Sequence, residues 1–305
     1  MTDIPTIADA ASRIAAKQLS PVELTRACLD RVHALDKELH AFVLLTEERA
    51  LADARAAEAA IMAGKSTGPL CGIPIGLKDI VDTKGIATTC HSKILRDNVP
   101  DSDATCAVKL AEAGTVLMGK TATHEFADGG PSFDLPWPPA RNPWNTTHFT
   151  AGSSSGTGAG VAAGLILGGI GTDTGGSIRG PSALCGIAGI KPTYGLVSRA
   201  GVAPAAYTLD HIGPMAWTAE DCALMLQTLA GHDPRDPASA SRAVSDYTTQ
   251  LGASIKGMRI GVIHHFHETD HKVSAGTQHG IDSADRKSTR LNSSHYSRSR
   301  MPSSA

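Results

Sequence analysis

The sequence predicts an α/β domain. Segments with strand character alternate with segments of helical spacing, which is the pattern of a sheet with helices packed on it. The composition agrees: of 305 residues, 41% are apolar and 19% charged, enough to bury a large core and too apolar for disorder. Aromatic residues are scarce at 4%, while glycine (31) and proline (17) are plentiful. That combination favours tight loops and close backbone approaches over bulky packing.

The first 64 residues read as helical. Ile7, Ala11, Ile14 and Ala15 recur at helical spacing. Ser20, Pro21 and Glu23 make a helix start, with Ser at the cap, Pro first in the helix and Glu three residues after the cap. Leu24, Cys28, Leu29 and Val32 then form one apolar face. Thr46 is placed to cap an alanine-rich helix that ends near Gly64. From Gly72 the character changes: residues 73–80 are strand-like, with Lys78 near the end. Asp103 is expected to cap a helix to Ala113, stopped by Gly114, and Val116, Leu117 and Met118 read as a buried strand. Residues 131–144 are a proline-rich loop that Trp137 and Trp144 brace. Residues 151–190 combine small apolar helices with a short strand at 168–171. Thr218 caps another helix ending at Gly231, residues 232–250 form a polar excursion, and residues 258–263 read as a last strand.

Several function classes are excluded at this level. The formal net charge of −2 makes no electrostatic case for a general nucleic-acid or membrane-surface protein. No uninterrupted apolar run reaches the ~18 residues of a membrane span. The first five residues, MTDIP, lack the basic and apolar segments of a secretory signal, so the expected location is cytoplasmic. The six cysteines, at 28, 71, 90, 106, 185 and 222, form no C-x-x-C pair and read as reduced, buried thiols. His264, His265, His267 and His271 invite a metal reading, with His267 and His271 at helical spacing. No acidic or cysteine partners complete a clear ligand spacing, so they read as surface, and no metal or other cofactor is expected.

The last residues differ from the rest. Residues 285–305 hold seven serines, five Lys or Arg and one acid, the composition of a disordered basic tail. The string DRKSTRLNSSH (285–295) resembles one reading frame of a common sequencing adapter, and SRMPSSA (299–305) resembles its continuation. The segment therefore reads as translated adapter, and the coding sequence as interrupted within the domain. Without it the chain carries 23 basic and 29 acidic residues, a formal charge of −6.

The chemistry lies in residues 151–182, AGSSSGTGAGVAAGLILGGIGTDTGGSIRGPS. Three readings compete. Gly156, Gly158 and Gly160 suggest a nucleotide loop, but no strand precedes them, the spacing is wrong for a dinucleotide site, and no Gly-Lys-Ser/Thr follows. A purely structural loop of small residues is the second. The third is a serine nucleophile, Ser177, behind Gly175 and Gly176, whose bare backbone would let N–H groups approach a substrate oxygen. A helix is expected to start at Ser177. The serine needs a base. His91, His124, His148 and His211 are available, but no Gly-x-Ser-x-Gly elbow surrounds Ser177. A lysine kept neutral by burial is the alternative, and Lys78 at the end of an apolar strand suits that role.

That block, with GIPIGLKD (72–79) upstream and GIAGIKPTYG (186–195) downstream, resembles the amidase signature family, over nearly all of residues 1–284. One departure is Ala151, where the motif usually begins with Gly. The resemblance implies a central mixed β-sheet flanked by helices, with a helical part at 1–64 and an incomplete catalytic core at 65–284. It places the catalytic lysine on Lys78, a bridging serine with a cis peptide bond on Ser153, and the nucleophile on Ser177. It puts oxyanion donors on the backbone of Thr174, Gly175, Gly176 and Ser177, and supporting hydrogen bonds on Ser154, Asp173 and Arg179. Asp210 is expected near the site wall, and Lys191 reads as structural.

Two activities fit this resemblance. One is a stand-alone amidase that hydrolyses a carbon–nitrogen amide bond through an acyl-enzyme. The other is the A subunit of an aspartyl/glutamyl-tRNA amidotransferase, which releases ammonia from glutamine. In KTATHEFADG (120–129) the chain keeps the Glu-Phe-Ala that resembles the transferase segment. It then carries a Pro- and Trp-rich stretch at 131–141, which favours a hydrolase. The expected partner is a small-molecule amide, with no direct nucleic-acid or membrane contact. A homodimer fits the hydrolase reading, and partner subunits fit the transferase.

Overall fold

The computed structural model describes residues 4–65 and 67–291. The chain divides after Thr249 into two compact units, where the sequence reading drew one domain to residue 284. The first unit holds helices α1 (Ile7–Ala15), α2 (Pro21–Leu39), α3 (Glu47–Met62), α4 (Thr105–Glu112), α5 (Ser155–Ala162), α6 (Arg179–Cys185) and α7 (Ala219–Leu229). Its strands are β1 (Phe42–Leu45), β2 (Pro74–Lys78), β3 (Val116–Thr121), β4 (Gly168–Asp173), β5 (Ala188–Gly189) and β6 (His211–Ala216). They form one mixed sheet in the order β1-β3-β2-β4-β6-β5, as the sequence resemblance implies.

The central three strands are parallel, with β3 on one side of β2 and β4 on the other. β1 and β6 pair antiparallel on the outside of these. The chain therefore goes from β2 outward to β3 and returns across β2 to β4. Such a reversal opens a crevice at the carboxyl ends of the strands, where open α/β sheets bind their ligands. Lys78 ends β2 and Asp173 ends β4 at this edge. Every residue of β2, β3 and β4 is buried, so these strands lack the alternation of a half-exposed sheet.

Local signals account for several elements. Ser20 Oγ accepts the N–H groups of Val22 (3.1 Å) and Glu23 (3.2 Å) at the start of α2, and Leu24, Cys28, Leu29 and Val32 on that helix are buried. Thr218 and Asp221 form a reciprocal capping box on α7.

Other expectations need correction. The helical stretch to residue 64 contains strand β1, because its apolar residues pair with β3. Asp103 does not cap α4; its Oδ1 accepts the Lys84 N–H at 2.8 Å. Thr46 makes no side-chain cap either, because its hydroxyl donates to the Leu117 carbonyl. The helix expected at Ser177 starts at Arg179. Strand β6 went unread because Gly213 and Pro214 interrupt its β character.

In the second unit, residues 258–263 are not a strand. Met258, Ile260 and Ile263 are exposed, and no strand among the described residues pairs with them. A π-helical turn, Phe266–Asp270, follows, and then α8 (Ala275–Leu291). The segment read as disordered from Asp285 is helical as far as Leu291, because α8 starts upstream and meets no Gly or Pro in 285–291. Residues 292–305 lie outside the described residues. No described helix is long and apolar enough to cross a membrane.

Candidate active site

Lys78 is fully buried. Its Nζ lies 2.7 Å from Ser153 Oγ and 2.7 Å from Thr172 Oγ1. Burial pushes the ammonium down to about 7, against the opposing pull of Asp173, Asp210 and Cys90. The amine is thus poised between its two protonation states at neutral pH. The neutral amine keeps a lone pair that can accept the Ser153 proton across the same contact.

Ser153 is presented from the loop before α5. The Gly152–Ser153 peptide bond is cis, the geometry that the family resemblance implies. The Ser153 carbonyl accepts the backbone N–H of His124 at 3.1 Å. The His124 imidazole lies against Gly152, so a Cβ at Gly152 would fall inside the ring. Ser154 Oγ reaches both the Thr172 N–H and the Thr172 carbonyl at 3.2 Å. The Ser154 N–H donates to the Ser177 carbonyl at 3.2 Å. One serine therefore ties the loop, the end of β4 and the Ser177 turn together.

Asp173 organises that turn. Its carboxylate accepts the N–H of Gly176 (2.8 Å), Ile178 (3.2 Å) and Arg179 (3.3 Å), and two guanidinium bonds from Arg179 at 2.9 Å each. Burial would raise this acid, but Arg179 and the three backbone donors outweigh it and hold the carboxyl at about 2. Gly176 has φ +131°, a conformation that a side chain resists. Its N–H is committed to Asp173. Among the described residues no protein acceptor takes the N–H of Thr174, Gly175 or Ser177. Three of the four expected oxyanion donors therefore remain available to a substrate.

Ser153 and Ser177 both line a cleft of about 800 Å³, together with Gly152, Thr174, Gly175 and Gly176. No hydrogen bond joins the two hydroxyls among the described residues. An adjoining cavity of about 500 Å³ shares Ala127, Thr174, Pro204 and Ala205 with the cleft. Its far walls include Ile80, Val202, Tyr207 and Ile212. Asp210 shapes this wall by accepting the Thr174 hydroxyl (2.5 Å) and the Ala205 and Ala206 N–H groups (3.0 Å).

An amidase family profile matches residues 23–292. The chain belongs to the amidase family. It is 49% identical over 257 residues to the A subunit of the glutamyl-tRNA(Gln) amidotransferase of Chloroflexus aggregans, a match covering 84% of this chain and 53% of the relative. The peptide amidase of Stenotrophomonas maltophilia superposes with a TM-score of 0.86 at 35% identity, covering 95% of this chain and 62% of that one. A bacterial aryl acylamidase of the amidase signature enzymes gives a TM-score of 0.82 at 30% identity, covering 94% and 59%. The chain spans about half the length of the curated relatives it matches.

Three features of this amidase-family site were not read from the sequence. Thr172 holds Lys78 from the neighbouring strand. His124 packs on Gly152 while its Nδ1 faces the Gly129 carbonyl at 3.2 Å. Lys120 is fully buried and pairs with Asp79 at 3.6 Å. It also donates to the Val81 carbonyl (2.7 Å) and Thr88 Oγ1 (2.5 Å), anchoring the loop after Lys78. Nothing local marks these residues, since Thr172 meets Lys78, His124 meets Gly152 and Lys120 meets Asp79 from separate segments of the chain. The one exception is the second lysine on an apolar strand, a signal that could have found Lys120. Among the described residues Lys191 donates only to the adjacent Pro192 carbonyl. Trp144 Nε1 braces the Cys185 carbonyl at 2.7 Å, and the Trp137 carbonyl meets His91 Nε2 at 3.0 Å. Within the described residues one group of side chains converges closely enough for a metal ion, His264, His267 and Glu268 in the second unit.

Proposed function

We propose that this chain carries the nucleophile and base of an amidase that hydrolyses a carbon–nitrogen amide bond. The observation that carries this reading is the buried Lys78 amine, 2.7 Å from Ser153 Oγ in the cleft that Ser177 also lines. Lys78 in its neutral form takes the Ser153 proton while Ser153 takes that of Ser177. Ser177 Oγ attacks the amide carbon, and the N–H groups of Thr174, Gly175 and Ser177 receive the oxyanion. The proton returns through Ser153 to the leaving nitrogen, the C–N bond breaks, and water then hydrolyses the acyl-enzyme. Catalytic hydrogen bonds of this kind commonly close only around substrate, which suits two serine hydroxyls that share a cleft without touching. The reading needs no cofactor, and it fits a cytoplasmic enzyme, alone or as a homodimer.

The test is covalent labelling of Ser177 by a fluorophosphonate, followed by intact mass, alongside ammonia release from a panel of simple amides. Ser177→Ala should abolish both, and Lys78→Ala should slow both by at least 100-fold, the scale of losing a positioned base. Undiminished labelling in Ser177→Ala would remove the nucleophile assignment.

The 49% identity to an amidotransferase chain favours a second reading, in which the amide is glutamine and the ammonia passes to a charged tRNA held by partner subunits. The Pro- and Trp-rich stretch at 131–141 favours the hydrolase. Ammonia release from glutamine that requires added partner subunits would select the transferase.

A further inference from the structure

We propose that His264, His267 and Glu268 form a binding site for a divalent transition-metal ion of the zinc, nickel or copper kind. The argument starts at His267, whose side chain is 8% exposed. Its Nδ1 lies 3.0 Å from the Ile263 carbonyl. A carbonyl only accepts, so Nδ1 is the nitrogen that donates there, and Nε2 is the one left to face a ligand. That Nε2 is buried and has no hydrogen-bond partner among the described residues. A buried acceptor without a donor is costly.

The groups facing Nε2 do not relieve this. Glu268 Oε1 lies 3.9 Å away, too far for a hydrogen bond, and it too is an acceptor. The carboxylate is held by His264 Nδ1 at 2.8 Å. The His264 and His267 rings sit side by side, 5.5 Å between centroids. Two lone-pair donors aimed at one point call for a cation. The three donor atoms lie within 4.8 Å of one another. Ligands at about 2.0–2.2 Å from a common ion stand roughly 3–4 Å apart, so the observed 2.8 and 3.9 Å separations need only small side-chain adjustments, with the proton that His264 Nδ1 shares with Glu268 released to solvent as the ion binds. Metal-bound histidines typically donate their other ring N–H to a carbonyl or carboxylate, and the Ile263 carbonyl already provides this for His267.

The donor set selects the ion. Two imidazoles and one carboxylate suit borderline divalent transition metals and not magnesium or calcium, which favour all-oxygen shells. His264 and Glu268 are 35% and 49% exposed, so water can complete the coordination. Helical spacing alone suggests His267 with His271, but the His271 ring instead packs edge-on to Phe266.

Zinc sulfate titrated calorimetrically into the full 305-residue chain tests the site, with the cobalt(II) visible spectrum as a second readout. The expected result is one equivalent of zinc bound and a cobalt spectrum with nitrogen-ligand character. His267→Phe, which keeps a buried ring, should weaken binding at least tenfold. Glu268→Gln, at a half-exposed position that should not disturb folding, should also weaken it tenfold or more. His265→Asn, beside the cluster but outside it, should bind like the parent chain. No zinc binding at about 100 μM, equal affinity in His267→Phe and Glu268→Gln, or an equal loss in His265→Asn would overturn the proposal.

Discussion

Lys78 combines two opposed features, a strand end that excludes water and an amine that is ordinarily charged. Burial reconciles them by lowering its pKa to about 7. Only the neutral amine accepts a proton, so Ser177 labelling should fall about tenfold per pH unit below about 7 and level off above it; a flat profile from about pH 5.5 to 8 would exclude Lys78 as the base. Stability follows with a defined sign. Between about 7 and the ordinary 10.5 the unfolded chain holds the proton that the folded chain has lost, so the Lys78 contribution to stability rises with pH across that window. Lys78→Met should therefore gain most over the parent protein at pH 7 and below, and its advantage should vanish towards pH 10.5, as read by urea unfolding. Two neighbouring glycines make a steric contrast. Gly152→Ala drives a methyl into the His124 ring and should cost about 1–3 kcal/mol. Gly175→Ala meets nothing within 4 Å and should stay within about 0.5 kcal/mol in the same unfolding assay.

Caps show how far local signals carry at the level of single elements. Ser20 and Thr218 cap as read, because their partners are two or three residues away in the chain. Thr218→Ala should cost about 1 kcal/mol by chemical denaturation. Asp103 and Thr46 are also residue types that cap helices, yet the Lys84 N–H and the Leu117 carbonyl recruit their side chains. A cap motif is thus legible only when no distant group competes for it. The strands divide similarly. β2, within the strand-like stretch 73–80, and β3, which opens on Val116, Leu117 and Met118, could be read, whereas β6, with Gly213 and Pro214 at its centre, and β1, inside a helical stretch, depend on partners across the sheet. The Lys120–Asp79 pair belongs to this scale, since it fixes β3 to the loop after β2. Lys120→Met leaves a buried carboxylate without its cation and should cost about 3–5 kcal/mol. A cost under 1 kcal/mol would mean that Asp79 is held by Thr89 and His91 alone.

Across the whole molecule the six cysteines report on packing, since all are free and buried. Burial pushes Cys28, Cys90, Cys106, Cys185 and Cys222 up to about 12, so at pH 8 scarcely any thiolate is present. An aromatic disulfide reagent should label none of them quickly in the native chain and all of them after guanidinium unfolding; fast native labelling of several would contradict the burial. The fold class, the strand bearing Lys78 and the glycine turn before Ser177 were legible from the sequence, because each rests on residue type and short spacing. Distance hid the rest. Thr172 reaches Lys78 from a neighbouring strand, His124 seats Gly152, and the Gly176 N–H is claimed by Asp173. The sequence by itself determined the residue types and short spacings that set the fold class, the strand bearing Lys78 and the glycine turn before Ser177. Only the tertiary structure decided which donors stay open to a substrate and which lone pairs face one another. Those outcomes depend on how side chains from remote segments compete for the same hydrogen bonds and the same space.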